Sequence, residues 1–225
     1  MKLTVLSISV AAFLVSVAGA TWLLQTGDAK NQTLTSSRHS GNLDSSPADT
    51  CCTSGMPEGT SEGSLYVLRS KWTNQNGDRI SLSDLGGKIR VVAMFYSRCP
   101  YACPMTINDM KKIEASIPSD LREQVGFVLV SFDPAQDTPQ TLREMADSLG
   151  LDGGRWTLLT GSTRDDRTLA ALLGVEFEKK ADGTFMHSTQ ITVLNSTGGI
   201  VYKHFGLNQP IDDVVRAVVG STGQR

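Results

Sequence analysis

From residue 64 onward, the spacing of apolar residues predicts a mixed α/β domain. Two continuous apolar runs, RVVAMFY at residues 90–96 and VGFVLVSF at residues 125–132, are typical of strands that are buried on both faces. A shorter run at residues 156–159 predicts a third strand. Between and after these runs, the apolar residues change to helical spacing and predict four helices, at residues 106–117, 138–149, 163–173 and 211–219.

Local signals mark the ends of two of these helices. Thr138 can cap the second helix through its hydroxyl, and Pro139 suits the first helical position. Gly150 ends this helix, and Gly174 ends the next one. These signals predict both ends of the second helix and the C-terminal end of the third.

Two hairpins complete the predicted fold. A turn at residues 76–78 (Asn-Gly-Asp) separates two short alternating segments, and a turn at residues 195–199 separates the predicted strands 190–194 and 200–205. Parallel crossovers followed by an antiparallel hairpin and a terminal helix are what a thioredoxin-like sheet requires. We therefore predict an α/β, thioredoxin-like fold with an N-terminal β-hairpin extension, over residues 65–225.

The first 64 residues predict an exported, tethered domain. Residues 1–27 carry no charge after Lys2, and their apolar stretch approaches the roughly 20 residues that cross a bilayer. Lys2 places the N-terminus in the cytoplasm. Small residues at 18–20 fit a cleaved signal peptide, whereas the apolar character that continues through residues 22–24 favours an uncleaved membrane anchor. Residues 28–64 are polar and predict a flexible tether that contains Cys51 and Cys52. Both interpretations put the domain on the extracytoplasmic side, membrane-anchored or periplasmic.

Charge excludes one class of function. The chain has 21 Lys and Arg against 23 Asp and Glu, a net charge of −2. No overall positive field is present to attract a polyanion. Nucleic-acid binding is therefore disfavoured.

The segment FYSRCPYACPMT at residues 95–106 is the strongest chemical signal. Pro104 is tolerated only in the first turn of a helix, so the helix must begin at residues 100–103. Cys99 and Cys103 then lie at the electropositive helix start, with the charge of Arg98 nearby. The sequence predicts two activated thiols rather than inert buried ones.

Three uses of these thiols are open. A structural disulfide between Cys99 and Cys103 is allowed in an exported protein, but so short a loop gains little from closure. A redox-active dithiol usually has two intervening residues instead of three. Residues four apart on a helix have Cβ atoms about 5–6 Å apart, which leaves room for a soft ion such as Cu(I) between the sulfurs.

A histidine is the expected third ligand. Of the three in the chain, His39 lies in the tether and His204 is expected at a surface or edge position. His187 directly precedes a predicted buried strand. In a thioredoxin-like sheet, the loop that enters this strand faces the cysteine motif, so His187 is the candidate partner of the two thiols.

Three motifs occur in an order that resembles the SCO/SenC family of copper-binding proteins associated with cytochrome c oxidase assembly. They are FYSRCPYACP at 95–104, SFDPAQDTP at 131–139 and HSTQITVLN at 187–195. The resemblance implies a thioredoxin-like fold, an N-terminal anchor, and copper, as Cu(I) or Cu(II), bound by Cys99, Cys103 and His187. Tyr101-Ala102 and Ser97-Arg98 depart from the common family pattern.

The hypothesis that follows is a copper metallochaperone. It delivers copper to an exported acceptor protein, such as the copper site of a cytochrome c oxidase subunit, or to another chaperone. The alternative is an enzyme, a thiol–disulfide oxidoreductase that uses Cys99 and Cys103, with a disulfide between them, to reduce the acceptor's cysteines. Asp133 and Asp137 are interpreted mainly as turn and helix-cap residues, and Cys51 and Cys52 have no assigned role.

Overall fold

A seven-stranded sheet with four helices forms the domain. The computed structural model describes residues 63–223, so the predictions for residues 1–27 and for nearly all of residues 28–64 lie outside the described part. The strands are β1 (Trp72–Asn74), β2 (Arg79–Ile80), β3 (Ile89–Phe95), β4 (Val125–Ser131), β5 (Trp156–Thr160), β6 (Phe177–Lys179), β7 (Phe185–His187), β8 (Gln190–Leu194) and β9 (Ile200–Phe205). The helices are α1 (Ala102–Ser116), α2 (Pro139–Leu149), α3 (Thr163–Leu173) and α4 (Asp212–Ser221).

Strand order in the main sheet is β2-β1-β5-β4-β3-β8-β9. β3, β4 and β5 run parallel, while β8 pairs antiparallel with β3, and β9 with β8. The predicted elements occur in the predicted order, both predicted hairpins are present, and the fold is thioredoxin-like. Since β3 lies between β4 and β8, the loop after β3 emerges beside the start of β8.

Burial explains the two continuous apolar runs. All seven residues of β4 are buried, and six of the seven in β3. Helices cover the sheet, which removes the alternation that a half-exposed strand would show. The apolar runs are therefore a consequence of a central position in the sheet.

The helix ends follow the predicted local rules. The Thr138 hydroxyl accepts a hydrogen bond from the Thr141 N–H, and Pro139 occupies the first helical position of α2. Gly150 (φ 61°) and Gly174 (φ 78°) adopt the left-handed conformation just after α2 and α3. Glycine takes this conformation without a Cβ clash, so it ends a helix at little cost.

One element was missed by sequence reasoning. β6 and β7 form a separate antiparallel hairpin with Phe177 opposite His187 and Lys179 opposite Phe185. Each strand is three residues long and partly exposed, so neither shows a hydrophobic period long enough to detect. We name residues 177–187 the His187 hairpin.

The expected surface or edge position of His204 is confirmed by an edge strand. It lies on the edge strand β9, as expected, but its side chain is only 6% exposed. It therefore does not face solvent.

No helix within residues 63–223 is long and apolar enough to cross a membrane.

Candidate metal centre

Three separate elements bring Cys99, Cys103 and His187 together. Cys99 lies in the loop after β3, and Cys103 is the second residue of α1, so the helix starts within the range that Pro104 required. His187 ends the His187 hairpin. The three ligand atoms all lie within 4.8 Å of one another.

The imidazole points at both sulfurs. His187 Nε2 lies 3.8 Å from the Sγ of Cys99 and 3.8 Å from the Sγ of Cys103. On its other side, Nδ1 lies 3.1 Å from the carbonyl oxygen of Ser188. Because a carbonyl can only accept, Nδ1 donates to Ser188, and Nε2 is the ring nitrogen that faces the two sulfurs.

Aromatic side chains surround the imidazole. The Tyr96 ring lies edge-on at 6.0 Å between centroids, and the Phe132 ring lies at 5.3 Å. Both cysteines are buried, whereas His187 is partly exposed. The centre therefore has an apolar wall on the protein side and opens to solvent at the histidine.

The two thiols differ in acidity. Burial alone would raise the pKa of Cys99, but hydrogen bonds from His187 and from the backbone N–H groups of Cys103 and Tyr101 lower it to about 6. The Cys103 N–H lies 3.3 Å from the Cys99 sulfur, as expected at a helix start. Cys99 is therefore the activated thiol that the sequence predicted.

Cys103 corrects that prediction. Its side chain is 2% exposed, and burial raises the pKa of the Cys103 thiol far above its usual range. A backbone hydrogen bond at Tyr96 lowers it less than burial raises it, and the charges of Cys99 and Asp137 raise it further. In this deeper position desolvation outweighs the helix dipole.

Arg98 does not act on the thiols as expected. Its guanidinium pairs with Asp133, with Nη2 2.9 Å from Oδ2, and it is not among the causes of either cysteine pKa shift. Arg98, although adjacent to Cys99 in sequence, therefore forms an ion pair with the loop after β4.

Asp137 anchors the cysteine loop through hydrogen bonds to its carboxylate. Its buried carboxylate accepts hydrogen bonds from the N–H of Ser97 (3.0 Å), from the hydroxyl of Ser97 and from the hydroxyl of Ser131 (2.6 Å). Asp133 shapes the turn before α2, since its carbonyl accepts from the N–H groups of Gln136 and Asp137. These contacts agree with the structural interpretation of both aspartates.

The donor set suits a soft metal ion. Two sulfurs and one imidazole nitrogen are ligands that Cu(I) prefers, and a three-donor set leaves a position for an incoming ligand. A thiolate is already favoured at Cys99, while Cys103 must lose its proton when a metal binds. The residues present therefore fit a copper ion.

A thioredoxin-like sheet with two cysteines at a strand–helix junction, facing a histidine, defines a class of thiol-based metal or redox domains. Within that class, the chain belongs to the SCO1/SenC family, whose model matches residues 59–222. The resemblance seen in the three sequence motifs is thus confirmed.

Individual relatives agree with this membership. A Stutzerimonas stutzeri protein whose name refers to copper binding is 29% identical over 56% of this chain and 63% of its own length. The SCO1 protein homolog of Bacillus subtilis is 25% identical over 64% of this chain and 77% of its own length. A SCO1/SenC family lipoprotein from Bacillus anthracis superposes with a TM-score of 0.62 at 27% identity, covering 67% of this chain and 91% of that one.

Proposed function

We propose that this protein is a copper-binding metallochaperone that holds one copper ion at Cys99, Cys103 and His187. The observation that carries the proposal is the convergence of these three ligand atoms within 4.8 Å, although His187 follows Cys103 by 84 positions in the chain. Membership of the SCO1/SenC family and the name of the Stutzerimonas relative support it.

Transfer to an acceptor protein follows from the shape of the centre. The histidine side is accessible, so an acceptor thiolate adds to Cu(I) there and the imidazole leaves. Exchange at the two cysteines then completes the transfer: Cys99 is left as a thiolate, and Cys103 takes up a proton that an acceptor thiol has released. Copper stays Cu(I) throughout, so no reductant is required.

The acceptor is an exported copper protein, such as the copper site of a cytochrome c oxidase subunit, or a second chaperone. The extracytoplasmic location is supported by the sequence of residues 1–27 and by the lipoprotein among the relatives. A membrane anchor in residues 1–27 and a tether in residues 28–64 complete this arrangement. Cys51 and Cys52, in the tether, stay without an assigned role.

Copper titration of metal-free, reduced protein tests the proposal. We expect the wild type to bind one equivalent of Cu(I) in competition with a chromophoric chelator. Cys99→Ser and Cys103→Ser should abolish tight binding, and His187→Ala should weaken it. Met186→Leu, next to the histidine, is the matched control, and wild-type affinity in all three ligand variants would overturn the proposal.

A thiol–disulfide oxidoreductase is the second candidate, favoured by the unequal acidity of the thiols. The Cys99 thiolate would attack a disulfide of the acceptor, and Cys103 would then release the reduced acceptor and form the Cys99–Cys103 disulfide. Reduction of an acceptor-site disulfide by the metal-free dithiol tests this candidate. An unchanged acceptor after incubation with excess dithiol would exclude it.

A further inference from the structure

The position of His187 depends on how its hairpin is held. β6 and β7 pair only with each other and lie outside the seven-stranded sheet. Apart from the contacts of His187 with the cysteines and with Ser188, two polar side-chain links join residues 177–187 to the rest of the described chain. One is the Phe185 N–H to the Tyr96 hydroxyl oxygen at 3.5 Å, and the other joins Lys179 to Asp133.

Asp133 contacts one residue on each of the two segments that carry the candidate ligands. Its Oδ2 lies 2.9 Å from Nη2 of Arg98, which directly precedes Cys99. Its Oδ1 lies 3.4 Å from Nζ of Lys179, in the His187 hairpin. One carboxylate therefore connects the cysteine loop to the element that carries the histidine.

Aromatic packing continues this connection on the hairpin side. Lys179 Nζ lies 5.2 Å from the centroid of the Phe185 ring, its partner across the hairpin. Phe185 in turn packs against Tyr96 and Phe132, at 5.0 and 5.1 Å between centroids. Movement of Lys179 would therefore disturb the same rings that surround the imidazole of His187.

The carboxylate of Asp133 is buried, whereas its two cationic partners are exposed. The Asp133 side chain is 3% exposed, while those of Arg98 and Lys179 are 54% and 50% exposed. A buried carboxylate is costly unless it is paired, so it draws both cations inward. Each cation then holds the segment that carries it against the loop after β4.

We propose that Asp133, Arg98 and Lys179 form an ionic clamp that positions His187 against the two sulfurs. The three are positioning residues, because none touches the metal. The inference rests on the proposed copper site and adds a mechanism that sets its geometry. Because the clamp and the metal favour the same hairpin position, copper binding should in turn slow opening of the hairpin.

Lys179→Gln tests the clamp because it removes only the ion pair between Asp133 and the hairpin. Lys180→Gln is the matched control, since Lys180 is the exposed next residue and has no ion pair within residues 63–223. Lys179→Arg keeps the charge and should restore wild-type behaviour. Arg98→Gln, which cuts the other side, is the second variant.

Three measurements report on the position of His187, and urea unfolding reports on general stability. In the metal-free protein, hydrogen exchange at the hairpin amides, Phe185 above all, should quicken several-fold in Lys179→Gln. Cu(I) affinity should fall roughly tenfold, the scale of losses when support for a metal ligand is removed. The nitrogen hyperfine signal in the electron paramagnetic resonance spectrum of the Cu(II) form should weaken. Global unfolding by urea should change little.

Equal hairpin exchange and equal nitrogen signal in Lys179→Gln and Lys180→Gln would overturn the clamp. The two proposals fail in different ways. If the wild type failed to bind copper, the proposed function would be wrong. Hydrogen exchange in the metal-free protein would still report on the clamp. Normal copper binding with an unaffected Lys179→Gln would remove the clamp alone.

Discussion

His187 Nε2 lies 3.8 Å from the Sγ of Cys103, although 84 positions separate the two residues in the chain. The contact exists because β8, which follows the His187 hairpin, pairs with β3, which precedes the cysteine loop. The central pairing of the sheet thus delivers the histidine to the cysteines.

The two thiols of the metal-free protein should react at very different pH values. With a pKa of about 6, Cys99 should show half-maximal alkylation by iodoacetamide near pH 6, whereas Cys103 should stay protected through pH 9. His187→Ala removes the principal hydrogen bond that favours the Cys99 thiolate, so its midpoint should rise. Mass spectrometry of peptides after timed alkylation measures both; equal midpoints for the two cysteines would contradict the assignment.

Loss of the Asp137 carboxylate should destabilise the domain. Asp137→Ala leaves the Ser97 N–H and the hydroxyls of Ser97 and Ser131 without their buried acceptor. We expect a loss of about 3 kcal/mol in the free energy of unfolding by urea. Asp147→Ala, at an exposed position on α2, is the control and should change it by less than about 0.5 kcal/mol.

Asp166 should make stability decrease with rising pH. Burial, with a smaller contribution from the Asp165 charge, raises the pKa of Asp166 to about 8, and neither carboxylate oxygen has a hydrogen-bond partner among the described residues. The unfolded chain loses this proton near its ordinary pKa of about 3.9, so the folded state binds the extra proton between these values. The stability that this bound proton contributes is therefore complete below about pH 4 and is lost as the pH rises towards 8.

The slope of this effect should approach about 1.4 kcal/mol per pH unit within the window. Asp166→Asn carries no titratable group and should remove the slope, whereas exposed Asp147→Asn should retain it. Urea unfolding from pH 4 to pH 8 provides the measurement. If the free energy of unfolding changed equally with pH in the wild type and in Asp166→Asn, the prediction would be refuted.

A methyl group at Gly161 should clash with the N-terminal hairpin. A Cβ there would lie 2.6 Å from the ring of Trp72, which is 1% exposed on β1. Gly161→Ala should therefore lower the free energy of unfolding by about 1–3 kcal/mol, the usual cost of overpacking. Gly153→Ala meets no atom within 4 Å and serves as the control. Equal thermal midpoints for the two variants would show that Trp72 can shift without cost.

Much of the fold was predictable because its signals are local. Thr138, Pro139 and Gly150 set the ends of α2 through capping, a fixed φ angle and a left-handed turn, all within a few residues. Pro104 limited where α1 could begin, and so placed both cysteines at a helix start. The continuous apolar runs identified β3 and β4 as central strands.

Other features were decided by tertiary structure alone. The His187 hairpin has strands too short for a detectable period, and it is stabilised by packing against Tyr96 and Phe132. The opposite pKa shifts of Cys99 and Cys103 arise because hydrogen bonds with His187 and with backbone N–H groups favour the Cys99 thiolate, whereas burial outweighs such contacts at the Cys103 sulfur. Desolvation and long-range pairing depend on neighbours distant in the chain, which no local pattern records. The sequence by itself therefore determined the order of elements and the identity of the three candidate ligands, and only the folded sheet determined their distances, their acidity and the ionic contacts that hold them.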